Sequence, residues 1–129
     1  MFLRFTYPAF LWAVVILILC ALPGTSFPRL TFLDWLRLDK VVHLILFSIL
    51  CFLFLRGFTQ QQTFSSLQAY PKMYALLLSI IYGIVIELLQ EYIFIWRSGE
   101  VFDALADTAG AFIGLRFYNY WIRRRLAHL

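Results

Sequence analysis

The sequence predicts an all-α integral membrane protein, a bundle of four transmembrane helices that occupies the whole chain, 1–129, as one domain. Three observations carry this expectation. Hydrophobic residues make up 63% of the chain and charged ones 14%, a balance too apolar for a water-soluble domain of 129 residues. Apolar runs recur near the roughly 20 residues needed to cross a ~30 Å hydrocarbon layer. The bases, finally, collect in alternate segments between those runs, as the positive-inside rule requires of a chain threaded back and forth.

Each element has a local cause. The first span, roughly 5–22, ends at Pro23-Gly24, where Pro removes a donor and Gly frees the backbone. Arg4 is a weak positive flank, the apolar run exceeds a usual signal-peptide core, and LILC around Cys20 lacks the small residue of a lipid-attachment site. The span is therefore expected to stay as an anchor. The connector PGTSFPRLTFLDWLRL mixes Phe32, Leu33, Trp35, Leu36 and Leu38 with Arg29, Asp34 and Arg37, which suits a short amphipathic helix on the membrane surface.

The second span, roughly 41–55, is expected to stop at Arg56-Gly57. The Gln- and Ser-rich GFTQQQTFSSLQAYP that follows has no apolar period, and Pro71 closes it before the third span, roughly 74–95. The fourth runs over roughly 102–121. There is no internal repeat and no low-complexity tract. Cys20 and Cys51 fall inside apolar spans, where a thiol acts as a small packing residue, so they do not report a redox compartment.

Charge placement gives the orientation. With both termini in the cytoplasm, the inner side receives Arg4, Arg56, Lys72, Arg116, Arg123, Arg124 and Arg125 and no acid. The outer side receives Arg29, Arg37, Lys40 and Arg97 against Asp34, Asp39, Glu87, Glu91, Glu100, Asp103 and Asp107. Counting bases alone favours this threading, in a bacterial cytoplasmic membrane. The C-terminal YNYWIRRRL adds an aromatic belt and a basic cluster suited to an anionic inner leaflet, and so short a tail excludes nucleic acid as the expected partner.

Helical spacing then gathers the polar residues. Asp39 and His43 share a face at the start of span two, with Lys40 beside them; Glu87, Gln90 and Glu91 share one late in span three; Asp103 and Asp107 share one at the start of span four. All three helix ends lie toward the outer leaflet, which predicts one polar pocket at one depth. Ionisable residues inside a membrane cost about 2.5–3.5 kcal/mol each on insertion scales and mark function or paired contacts. Asp39 and Asp103 also have a plainer explanation, since carboxylates suit helix N-termini. That explanation does not reach Asp107 or Glu87, which lie deeper. His43, expected to be polarised by Asp39, is the acid/base candidate because its reference pKa near 6.5 can be moved across neutrality.

The ordered set DKVVHLILF at 39–47, ELLQ at 87–90, Arg97 in the next loop and DALADTAGAFIG at 103–114 resembles the VanZ-like family of small bacterial membrane proteins. The resemblance covers roughly 38–118 and leaves the first span and the tail outside its motifs. It implies an α-helical membrane protein, linked in the founding member to low-level resistance to the glycopeptide teicoplanin. Asp39, Lys40, His43, Glu87, Gln90, Arg97 and Asp103 occupy the family's polar positions. Asp107 stands where Asn is commoner, an added charge that favours cation binding.

Three functions fit these residues. The first is an enzyme acting on a lipid-linked or phosphorylated cell-envelope precursor at the outer leaflet. His43, Asp39, Glu87 and Asp103 would be catalytic, while Lys40, Gln90, Arg97 and Asp107 bind substrate, with Arg97 and Lys40 on a phosphate. Asp103 and Asp107 can supply two oxygen ligands to one divalent cation, although the residues name neither a metal nor a cofactor. Against catalysis stands the lack of a nucleophile elbow, an HExxH motif or a Gly-rich phosphate loop. The second is a non-catalytic module that binds an envelope precursor or a glycopeptide's lipid tail, served by Phe47, Tyr82, Tyr92, Phe94, Trp96 and Phe102. The third, an ion path, is weakly supported, because the inner halves of spans two and three offer only Ser48 and Ser79. Ala106, Gly110 and Gly114 form a small-residue stripe for close helix packing, within the chain or in a homodimer.

Overall fold

The computed structural model describes residues 1–22, 38–94 and 99–129. Among the described residues the regular structure is entirely helical, in five helices: α1 (Phe2–Ala21), α2 (Leu38–Gln60), α3 (Ser65–Ala69), α4 (Pro71–Tyr92) and α5 (Val101–Ala127). Three are long and apolar enough to cross a membrane, namely Phe2–Ala21, Asp39–Gln60 and Pro71–Tyr92. The residues of the expected fourth span form α5, a helix of 27 residues that is not among the candidate spans by composition, because Asp103, Asp107, Arg116 and the arginines at 123–125 lie within it. The expected surface helix of the first connector lies outside the described residues.

The boundaries show what local signals missed. α2 does not stop at Arg56-Gly57 but continues to Gln60. Gly57 is a crossing point instead: a Cβ there would lie 2.9 Å from the Phe5 carbonyl oxygen and 3.0 Å from Thr6 Cγ2 on α1. The chain turns at Gln61, whose Oε1 accepts from the amides of Thr63 and Phe64 at 2.9 and 2.8 Å while its Nε2 donates to the Phe64 carbonyl at 2.8 Å. That buried amide does the work expected of Gly, and α3 occupies part of a connector that has no apolar period. α4 opens on Pro71, where the missing N–H has no helical partner to lose, and closes at Tyr92, short of the expected 95. α5 runs beyond the expected 121 to Ala127.

α2 is the central element and touches α1, α4 and α5. α1 runs antiparallel to it, so that Phe2 meets Phe64, Phe10 meets Phe54, and the Trp12 indole donates to the Leu46 carbonyl at 2.9 Å. α5 runs parallel to α2, with Gly110 beside Leu44, Gly114 beside Ser48, and Tyr118 beside Thr59. α4 is antiparallel to both. The inward faces are single stripes at helical spacing: Ala75, Ser79, Gly83, Ile86, Glu87 and Gln90 on α4, and Asp103, Asp107, Gly110, Gly114 and Tyr118 on α5. The outward faces carry Ile45, Ile49, Leu77, Leu78, Ile81, Ile84, Leu88, Phe112 and Ile113 exposed. In water such a surface would aggregate; a hydrocarbon phase solvates it, and the helices satisfy their own backbone polar groups. The protein is a membrane protein by this surface as well as by its spans.

Candidate functional site

The first two turns of α2, the last turns of α4 and the first two turns of α5 meet at one end of the molecule. Parallel packing of α2 and α5 is what brings two helix N-termini to the same place, where their partial positive charge favours carboxylates. Asp39, Lys40 and His43 come from α2, Glu87 from α4, and Glu100, Asp103 and Asp107 from the start of α5.

Two layers can be distinguished. At the rim, the Lys40 ammonium donates to Glu100 Oε2 and Asp103 Oδ1, both at 2.7 Å, and lies 3.5 Å from Asp39 Oδ2. Asp39 and Glu100 are about half exposed there, at 49% and 50% of their side chains. Below it is a buried layer. His43 Nδ1 lies 2.8 Å from Asp107 Oδ1 and 3.9 Å from Glu87 Oε1, while His43 Nε2 lies 4.0 Å from Asp103 Oδ2. With Asp107 ionised and the ring neutral, Nδ1–H donates to Asp107 and the lone pair falls on Nε2. The other Glu87 oxygen, Oε2, accepts the Glu100 amide at 2.9 Å, tying the end of α4 to the start of α5.

The expected pairing of Asp39 with His43 is not what the structure shows. Asp39 is turned to the rim and meets Lys40; Asp107, expected as a substrate-binding residue, holds the histidine. The physical reason lies one turn further on. A Cβ at Gly110 would fall on the Leu44 carbonyl oxygen, and one at Gly114 on that of Ser48, so α5 lies against the backbone of α2 and Asp107 is carried to His43. The glycine stripe therefore serves packing within the chain, with Gly110 and Gly114 at the contact and Ala106 only half-buried. Ser48 ties the seam by donating to the carbonyls of Leu44 and Gly110 at 2.7 and 2.9 Å.

The remaining expected site residues divide. Glu87 and Asp103 join His43 in the buried layer, and one ligand atom from each of the three lies within 4.8 Å of the others. Lys40 is at the rim. Gln90 is buried to one side, donating to the Cys20 carbonyl at 3.1 Å in the last turn of α1. Arg97 and Trp96 lie outside the described residues. Of the aromatic residues expected near the pocket, Phe47 and Tyr82 point inward with ring centroids 6.1 Å apart, whereas Tyr92 and Phe102 are exposed.

Two positions at this cluster are not evident from the sequence. Glu100, by its sequence only an outer charge, binds Lys40 through its side chain and Glu87 through its amide. Gly83 lets α4 approach the site: a Cβ there would lie 3.0 Å from Asp107 Cβ and Oδ2. The signal was available in the four-residue spacing Ala75, Ser79, Gly83, Glu87, a small-residue stripe leading to an acid.

Comparison with curated proteins returned no match, and neither did comparison with solved structures. A family model described as VanZ/LLP1 matches residues 5–123, from the first turn of α1 to the last part of α5. That match takes in the first helix, which the motif-level resemblance had left out, and it includes every residue of the buried layer. On this span, nearly the whole chain, the protein belongs to the VanZ/LLP1 family.

Proposed function

We propose that this chain is a four-span protein of the bacterial cytoplasmic membrane with both termini in the cytoplasm, whose outward-facing polar site acts on a lipid-linked or phosphorylated cell-envelope precursor. A contribution to low-level glycopeptide tolerance would follow from a changed precursor pool. α5 serves as the fourth span in this reading. Its two aspartates enter the polar cluster rather than lipid, and its far end carries Tyr118, Tyr120 and Trp121 with Arg124 and Arg125 stacked on Tyr120 and Trp121 at 5.1 and 4.3 Å from the ring centroids. Such an end suits an anionic interface.

The observation that carries the reading is the buried His43–Asp107 pair. A carboxylate on Nδ1 fixes the ring and its tautomer and leaves Nε2 as the proton acceptor, which is how a histidine is prepared for general acid/base work. Asp107 takes the orienting role first assigned to Asp39, while Asp103 lies 4.0 Å from Nε2, within reach of a water there, and Glu87 lies 3.9 Å from Nδ1. Lys40 supplies the positive charge for a phosphate, which would displace the exposed Glu100 rather than the buried Asp103.

A non-catalytic binding module is the second reading. It is favoured by Tyr92 and Phe102, exposed at the ends of α4 and α5 beside the polar layer, where an acyl or prenyl chain would lie. Mass spectrometry of lipid-linked envelope precursors separates the two, in cells carrying wild type or His43→Ala at matched membrane levels. Catalysis predicts a precursor, or its phosphorylated form, that shifts only with the wild type. Identical pools alongside retained glycopeptide tolerance would sink the enzyme reading and leave binding.

A further inference from the structure

The buried layer has a charge problem. Glu87, Asp103 and Asp107 supply three carboxylates, and among the described residues Lys40 supplies the one cationic side chain in contact with them, so with a neutral imidazole two negative charges stay uncompensated within that set. Asp39 and Glu100 do not enter this balance, because water reaches both. Charges this deep are held by partners or by a metal.

The geometry indicates which. Glu87 is 8% exposed and its Oε1 has no hydrogen-bond partner among the described residues, although it points into the cluster, 3.9 Å from His43 Nδ1. Asp103 has one oxygen on Lys40 and the other, Oδ2, turned toward His43 Nε2. Nε2 in turn is the ring nitrogen that Asp107 leaves with a lone pair. One ligand atom from each of three helix ends thus lies within 4.8 Å of the others, with Glu87 Oε1 approaching the ring 3.9 Å from Nδ1 and Asp103 Oδ2 4.0 Å from Nε2. Ligands about 2.0–2.2 Å from a cation sit roughly 3–4 Å apart, so closing this set needs side-chain movements of about an ångström or less.

We infer that His43, Glu87 and Asp103 form a binding site for one divalent transition-metal cation of the Mn²⁺ or Zn²⁺ class. One imidazole with two carboxylates is a mixed nitrogen and oxygen set, which suits these ions better than Mg²⁺ or Ca²⁺, whose ligands are oxygens. Two positive charges cancel the two that are uncompensated. Asp107 is the outer partner that orients the ligating histidine through Nδ1, an arrangement usual for metal-bound imidazole. Positions on the cation left open to the rim would accept water or an anionic headgroup.

The inference concerns the same cluster as the proposed function but does not need that function to hold, because its readout is the metal alone. Purified full-length protein in lipid nanodiscs is titrated with Mn²⁺, and free Mn²⁺ is read by electron paramagnetic resonance, with Zn²⁺ as competitor. The expected result is one saturable site per chain, displaced by Zn²⁺, with nitrogen modulation from one imidazole in the pulsed spectrum of the wild type. Glu87→Gln and Asp103→Asn should each weaken binding by about 100-fold or more, beyond the roughly 10–100-fold expected for the outer partner in Asp107→Asn.

Absence of saturable binding by helical, monodisperse wild-type protein overturns the inference, and so does a bound ion without nitrogen modulation. The wild-type spectrum keeps the test decisive if a variant fails to fold. Metal binding with unchanged precursor pools would remove the precursor reading alone, and a His43-dependent precursor shift without metal binding would remove the cation alone.

Discussion

The two halves of the seam between α2 and α5 are built on opposite plans. In the lower half Gly110 and Gly114 bring backbone against backbone, and below them Phe52 packs against Phe117, Tyr118 and Trp121 with ring centroids 5.6–5.7 Å apart. In the upper half, one turn above Gly110, the same two helices face each other through Lys40, His43, Asp103 and Asp107. The difference teaches a division of labour. In lipid, apolar burial does not drive helices together, so contact must come from close packing and hydrogen bonds. The glycine half supplies that contact and sets the separation; the polar half is held at a fixed spacing and need not contribute to stability.

The largest effect should come from filling the close half. Gly114→Leu places a side chain on the Ser48 carbonyl, and Gly110→Leu does the same at Leu44. Each should lower stability by about 3 kcal/mol or more, the upper range for overpacking a tight contact, read by detergent-induced unfolding in mixed micelles. Ala109→Leu, on the exposed face beside Gly110, should stay within about 0.5 kcal/mol. If the glycine variants are no worse than that control, the close half does not set the spacing and the comparison breaks.

The polar half should respond in function first. Asp107→Asn removes the charge that orients His43, and under the acid/base reading precursor conversion should fall by about 100-fold or more with the helices intact. Asp39→Asn changes an exposed carboxylate that pairs with Lys40 and should matter by about threefold at most. Equal losses in the two variants would return Asp39 to the site. Lys40→Met comes next: it strips the ammonium from buried Asp103, and a loss of about 1–2 kcal/mol in the same unfolding assay is expected, as for a buried polar group deprived of its partner.

Most of the helices were legible in the sequence, and so was the grouping of acids at one end. Both depend on properties that residues carry with them, apolar length and spacing along one helix. Pairings between helices were less legible. Asp39 and His43 are four residues apart and share a face, but which carboxylate reaches the ring depends on how closely a second helix approaches, and that is set by Gly110, 67 residues further on. Gly57 misled for the same reason: glycine after Arg reads as a helix stop, and only the position of α1 reveals a crossing. Gln90, placed at the site by its spacing from Glu87, spends its amide on the end of α1, a partner that no local pattern announces. Glu100, hidden at the N-cap of α5, joins two helices through one amide and one carboxylate.

The smallest expected effect is the sharpest check on the lower half. Thr59 and Tyr118 share a hydrogen bond at 2.9 Å near the cytoplasmic end of the proposed threading, the one hydrogen bond between two side chains that links α2 and α5 in that half among the described residues. Tyr118→Phe removes it without a cavity. Thr59 keeps acceptors in the Leu55 and Arg56 carbonyls, at 2.9 and 3.0 Å, so no group is stranded. The cost should be about 0.6 kcal/mol, the mean for an interhelical hydrogen bond in a membrane protein. A loss above about 2 kcal/mol would mean that hydrogen bonding rather than glycine contact holds the lower half, and the two ends of the seam would then differ in charge but not in the kind of force that joins them.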